Sequence, residues 1–186
     1  RIRSGEEPIP SVSEISYAQN FLHMLGADKI TPLMTRIMDA TLVLHGEHTI
    51  NASTFTAMVT SSTLANPSQV VASAIGSLSG PLHGGANEKV IAMLQKIKSK
   101  EDIRPWLDDT LKAKNVVWGM GHREYSVKDP RANILTDMVQ DLFDERDGGV
   151  TDIFEKAIEL EKACKDKLAH KGVYPNVDFY SGILYK

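Results

Sequence analysis

Three short runs of this chain carry side chains that could move protons. The first, Gly80-Pro-Leu-His-Gly-Gly-Ala-Asn87, centres on His83, with a proline and three glycines inside six residues. Glycine permits close backbone approach that a side chain would block. An imidazole donates or accepts a proton near neutral pH. Helical periodicity flanks the run, so His83 is expected at a helix entrance, where unsatisfied N–H groups favour negative charge. That setting suits a donor to a developing oxyanion. The alternative is a structural histidine in a glycine-rich turn.

The second run, Val116-Val-Trp-Gly-Met-Gly-His-Arg-Glu-Tyr-Ser-Val-Lys-Asp-Pro-Arg131, is the richest. Gly119 and Gly121 let backbone amides and carbonyls face a ligand, and His122 follows directly. Arg123, Lys128 and Arg131 form a positive cluster in an acidic protein. A guanidinium grips a carboxylate through two parallel hydrogen bonds. Arg131 falls at a helix start, an unfavourable place for a cation, and a bound anion would remove the conflict. A solvated basic loop is the plainer possibility.

In the third run, Tyr174-Pro-Asn-Val-Asp-Phe-Tyr-Ser-Gly182, Asp178 lies among Val177, Phe179 and Tyr180. Apolar surroundings disfavour the charged carboxylate and raise its basicity, as a base for a carbon acid requires. Asp178 could instead be an ordinary helix N-cap. His45-Gly-Glu-His48 offers two histidines and Glu47, but no third metal ligand with a clear pattern. Substrate binding or internal hydrogen bonding fits it better, and no metal is expected. His23 and His170 have no supporting context. No phosphate loop, dinucleotide fingerprint or nucleophile elbow is present. Two histidines, an aspartate and a carboxylate-gripping arginine fit acid–base chemistry at carbon.

The elements that must position these residues read as helices throughout, an all-α chain. A first helix is expected from a Ser13 cap through Ile15, Ala18, Phe21, Leu22 and Leu25 to a stop at Gly26. Thr31-Pro32 opens a second, carrying Leu33, Ile37, Met38, Thr41 and Leu44. Asn51 or Ser53 opens a third through Phe55, Met58 and Val59. Asn66-Pro67 opens a fourth, with Val70, Val71, Ala74, Ile75 and Leu78 as its stripe. Small residues crowd positions 61–80, and no long charged side chain occurs over 49–82. Burial in a large core or a subunit interface is therefore expected there. Further helices are expected over about 87–98, 102–114, 131–144 and 151–170, with a last one from Val177. Residues 115–130 read as a loop; the β-rich stretch 115–118 is too short to argue a strand.

Composition is ordinary for a globular chain: 186 residues, 42% hydrophobic, 24% charged, net charge −3. A net negative field gives no reason to expect nucleic acid. No apolar run approaches the ~18 residues of a membrane span, and no leader pattern is visible. The single cysteine, Cys164, excludes an intramolecular disulfide, fits a reducing, cytoplasmic setting, and reads as a buried helix-face thiol. A composition shift near Gly80 suggests two parts, 1–79 and 80–186. The chain opens without a methionine and closes in a helical pattern, so it reads as a piece of a longer protein.

Taken together, the three runs, with His45-Gly-Glu-His48 and Asn51-Ala-Ser53, resemble the citrate synthase family, in family order over about positions 42–186. The resemblance implies an all-α homodimer whose large domain (here 1–79) and small domain (80–186) close over substrate. It implies condensation of acetyl-CoA with oxaloacetate and water to citrate and CoA, a tricarboxylic acid cycle reaction. Coenzyme A thioester is then a substrate and no separate cofactor is needed. By motif, Asp178 would take a methyl proton, and His83 would donate to the thioester oxygen. His122 would polarise the oxaloacetate carbonyl. Arg131 and His48 would hold its carboxylates. His45, Asn51 and Ser53 would support, the latter two orienting His83. The backbone of Val116, Val117, Trp118, Gly119, Met120 and Gly121 would receive the adenine end of CoA. Glu47 stands where the family often has Asp, and Thr49 where it often has Glu. Ser126 stands where many members have a basic residue that meets a CoA phosphate, a role Lys128 or Arg123 would take over. Further oxaloacetate-binding arginines of the family lie beyond the third motif, so these 186 residues alone are expected to have little synthase activity. A 2-methylcitrate synthase using propionyl-CoA, a non-catalytic helical oligomerisation module and a metal-dependent hydrolase are the alternative readings.

Overall fold

Capping chemistry explains where the chain turns helical. The structure, a computed structural model, describes residues 5–47, 49–122, 124–145 and 151–185. It divides into two units, residues 1–49 and 50–186. In the first, α1 (Tyr17–Leu25) packs on α2 (Pro32–Leu44). Ser16, not Ser13, caps α1 by accepting from the Gln19 amide. Ser13 donates instead to Glu14, and it lies too far upstream to reach the helix's orphan N–H groups. Gly26 closes α1 at φ 90°, the left-handed geometry that favours glycine. Thr31 caps α2 through the Met34 amide, with Pro32 in the first turn.

In the second unit, α3 (Ala52–Ser62) is capped by Asn51 and α4 (Pro67–Leu78) by Asn66. The two pack on each other, joined by a 2.9 Å bond between the Thr60 and Ser73 hydroxyls. The expected burial of this pair is not met within the chain: neither helix has a buried residue. Phe55, Met58, Val59, Val71, Ile75 and Leu78 are all exposed. Small residues let two helices approach closely, but two helices alone cannot cover both apolar sides.

The remaining helices build the core. They are α5 (Ala86–Lys96), α6 (Ile103–Lys112), α7 (Pro130–Glu145), α8 (Asp152–Leu168) and α9 (Val177–Leu184). α9 packs against α5 and α7, and α8 against α5 and α6. Val90, Leu94, Ile103, Leu107, Leu135, Val139, Phe154, Leu160 and Phe179 are fully buried among them. Each such aliphatic or phenyl side chain contributes about 1.5–3 kcal/mol. Phe143 of α7, buried, stacks on Phe154 at 5.1 Å between ring centroids. Cys164 is wholly buried on α8, where burial and the Glu161 carboxylate push its thiol up to about 12. The composition shift at Gly80 falls between α4 and α5, inside the second unit.

No strand occurs among the described residues, and the short β-rich stretch remains loop. One isolated antiparallel bridge, Met120 with Pro175, joins two loops. Nor is any helix among the described residues long and apolar enough to cross a membrane.

Candidate active site

The loop before α7 and the entry to α9 are fastened backbone to backbone. Gly121 N–H donates to the Tyr174 carbonyl at 2.7 Å, and Asn176 N–H donates to the Gly119 carbonyl at 2.9 Å. The Asn176 side-chain amide donates to the Gly121 carbonyl at 2.8 Å. Asp129 N–H reaches the Pro175 carbonyl at 3.2 Å. Three successive residues, 174–176, thus hold both ends of the His122 loop and deliver the chain into α9. Asn176 also caps α9, its Oδ1 accepting from Asp178 N–H at 3.0 Å. Asp178 is therefore not the N-cap. It is half-buried in the first turn, followed by the wholly buried Phe179 and Tyr180.

Gly119 and Gly121 have φ of 79° and 85°, so both sit where L side chains are strained. At Gly119 a Cβ would also lie 2.8 Å from the Phe179 ring and 2.9 Å from its Cα. Gly119→Ala is accordingly expected to destabilise the protein by about 2–4 kcal/mol, a strained φ plus a backbone clash. Chemical denaturation checks it: an unchanged midpoint would mean that loop and helix part freely.

His122 owes its ring orientation to that loop. Its Nδ1 accepts from Glu124 N–H at 3.0 Å. A backbone amide can only donate, so the ring hydrogen is on Nε2. The Tyr125 ring lies against it, 4.8 Å between centroids.

Arg131 meets an internal anion. Asp129, wholly buried, accepts from Arg131 N–H (2.9 Å), Nε (3.1 Å) and Nη2 (2.8 Å). The expected conflict of a cation at a helix start is thus answered by a carboxylate two residues upstream. Burial pushes the Asp129 carboxyl up. The hydrogen bonds and charge of Arg131, with the nearby His122, outweigh burial and hold it below the usual carboxylate range. Two of the five guanidinium N–H groups go to Asp129, which fixes the plane of the rest.

His83 is positioned from thirty residues upstream. It lies in a turn before α5, its N–H donating to the Gly80 carbonyl at 2.9 Å. The helix entrance that touches its ring is that of α3, not the α5 entrance expected from the sequence. Ser53 N–H donates to His83 Nε2 at 3.3 Å, and the Ser53 hydroxyl lies 2.9 Å from the same nitrogen. With Nε2 accepting, the ring hydrogen sits on Nδ1. Asn51 Oδ1 bonds both the Ser53 hydroxyl (2.8 Å) and Thr54 N–H (3.0 Å), setting the α3 entrance around the imidazole. Behind His83 the packing is tight: a Cβ on Gly84 would lie 2.7 Å from Leu78. A Cβ on Gly182 of α9 would lie 2.7 Å from the Asn87 carbonyl, so α5 and α9 are in backbone contact.

The other expected residues divide. His45 ends α2 in the first unit, its Nδ1–H donating to the Thr41 carbonyl at 2.8 Å. His48 and Arg123 lie outside the described residues. Val116 is exposed and Val117 buried, with Trp118 and Met120 half-buried. Lys128, expected to meet a CoA phosphate, is turned inward: its ammonium pairs with Glu161 at 2.7 Å. Ser126 is exposed. Among the described residues no three His, Cys, Asp or Glu side chains are grouped to hold a metal. Sequence reasoning passed over Asp129, Glu161 and the Glu124 amide. Only Asp129 had a local signal, an acid placed to cap the helix that begins at Pro130.

Comparison with known proteins accords with this arrangement. The family model described as the citrate synthase C-terminal domain matches residues 1–186. The citrate synthase of Synechocystis is 50% identical over 185 residues, covering all of this chain and 46% of that protein. That of Acidithiobacillus ferridurans is 47% identical over 185 residues, covering all of this chain and 48% of its own length. The crystal structure from Pyrobaculum aerophilum superposes with a TM-score of 0.90 at 34% identity, covering 100% of this chain and 46% of that one. The Thermoplasma acidophilum enzyme, solved as a ternary complex with carboxymethyl coenzyme A and oxaloacetate, gives 0.84 at 35% identity, covering 97% and 46%. The chain spans about half the length of the curated relatives it matches. With the family model matched from end to end and relatives at up to 50% identity, this all-α chain belongs to the citrate synthase family.

Proposed function

We propose that the protein carrying this chain condenses acetyl-CoA with oxaloacetate and water to citrate and CoA, through an enol or enolate. The observation that carries the proposal is the pair of fixed tautomers. Backbone amides donate to His83 Nε2 and His122 Nδ1, so the rings carry their N–H on Nδ1 and Nε2 respectively. Condensation of a thioester with a ketone needs two such donors at two different oxygens, and one base.

Asp178 removes a methyl proton from the acetyl group while His83 Nδ1–H donates to the thioester oxygen. The enol carbon attacks the oxaloacetate ketone, and His122 Nε2–H protonates the new alkoxide. Water then cleaves the thioester, releasing citrate and CoA. Arg131, its plane set by Asp129, grips an oxaloacetate carboxylate, and His48 also serves to bind oxaloacetate. The backbone of 116–121 receives the adenine end of CoA. Enolisation of a thioester is difficult at neutral pH, and one preorganised donor at the oxyanion is worth about 3–4 kcal/mol.

The enzyme works as a cytoplasmic homodimer with a large and a small domain meeting near Gly80. The exposed apolar faces of α3 and α4 support an interface there. The full-length protein, assayed for thiol release with oxaloacetate, is expected to show higher kcat/KM with acetyl-CoA than with propionyl-CoA. The reverse preference would make it a 2-methylcitrate synthase, and no turnover with either would refute the proposal. The 186 residues alone are expected to turn over slowly or not at all, and citrate formation at the full-length rate would overturn that.

A further inference from the structure

One polar cluster inside the second unit is unused by the chemistry above. Glu161 projects from the middle of α8 and bonds two separate segments. Its Oε1 lies 2.7 Å from Lys128 Nζ, and its Oε2 accepts the Tyr180 hydroxyl. Lys128 Nζ also lies 5.2 Å from the centre of the Tyr180 ring and 3.4 Å from the Thr136 hydroxyl. Lys128 and Glu161 are about a quarter exposed, at 23% and 22%, so their attraction is stronger than at an open surface. Tyr180 is wholly buried. Burial and the Glu161 carboxylate push its phenol up, so it remains a donor.

Placement gives the cluster its meaning. Lys128 directly precedes Asp129, whose carboxylate aims Arg131. Tyr180 follows Asp178 by two residues on α9. Resting on the function proposed above, we infer that Glu161 is a positioning residue that holds the oxaloacetate-gripping loop and the base-bearing helix in one register. The backbone bonds of 174–176 fasten these segments at the mouth of α9, and Glu161 fastens them again further along α8. With two fixings instead of one, the loop cannot pivot about α9.

Three disruptive single variants of the full-length enzyme, with one charge-keeping control, test the two arms. Tyr180→Phe cuts the link between Glu161 and α9, together with the hydroxyl's bond to Thr136, so kcat is expected to fall about tenfold with KM for oxaloacetate held. Lys128→Met cuts the link to the loop, and with it the weaker contacts to the Tyr180 ring and Thr136, so its larger effect is expected on KM for oxaloacetate, a rise of about tenfold. Lys128→Arg, which keeps the charge, should restore KM. Glu161→Gln is expected to move both constants. Melting temperatures recorded alongside identify loss of folded enzyme, which scales kcat and leaves KM alone in every variant. The inference is overturned if all three variants keep both constants within twofold. It is equally overturned if Lys128→Met raises KM for acetyl-CoA instead, which would return Lys128 to the CoA phosphate. Failure of the underlying function would show earlier, as wild-type enzyme without turnover.

Discussion

Asp178→Ala in the full-length enzyme is expected to cut kcat by about 10²–10⁴-fold, the range a positioned general base contributes. Oxaloacetate binding should be nearly unchanged, because Arg131 takes its aim from Asp129 and not from α9. The clearest readout is exchange of the acetyl-CoA methyl protons with deuterated water in the presence of oxaloacetate. Exchange at the wild-type rate would show that another group is the base.

His83→Ala is expected to lower kcat by about 10²–10³-fold, the cost of removing one preorganised donor at an oxyanion. Proton exchange should fall with it, since the enol loses its partner. Ser53→Ala tests the same device more gently. It keeps the Ser53 N–H that sets the tautomer and removes only the hydroxyl, so the loss should be a small fraction of that seen for His83→Ala. If His83→Ala stays within tenfold of wild type, the turn at 80–87 serves folding and not chemistry.

Candidate residues for the site could be named from the sequence; their partners in the fold could not. Glycine, proline and histidine in fixed local order pointed to His83, His122 and Asp178 because each run carries its own turn chemistry. What sets the His83 tautomer is not local in that sense. The amide that meets His83 lies thirty residues upstream, and periodicity contains no information about which helix end faces which turn. Lys128 shows the same limit: beside Arg123 and Arg131 it reads as a surface cation, and only packing against α8 brings Glu161 to it. Caps were read well where Thr31, Asn51 and Asn66 immediately precede their helices. The cap of α1 was misplaced by three residues because Ser13 and Ser16 are both plausible caps. The α3–α4 faces are a different case. Their pattern asks for burial, and this chain alone does not supply the surface that would cover them.

The fastening at 174–176 also bears on how this sequence can drift. Three of its four bonds join backbone to backbone, and the fourth uses the Asn176 amide. Backbone partners do not read side-chain identity, so Met120 and Tyr174 should accept broad substitution with the loop still in place. Gly119, held against Phe179, and Asn176, which serves both the loop and α9, should accept almost none. A saturation library across the two segments, selected for growth that depends on the enzyme's activity without its product supplied, would then show neighbouring positions of opposite tolerance. The pattern would follow hydrogen bonding and free space around each Cβ more closely than distance from substrate.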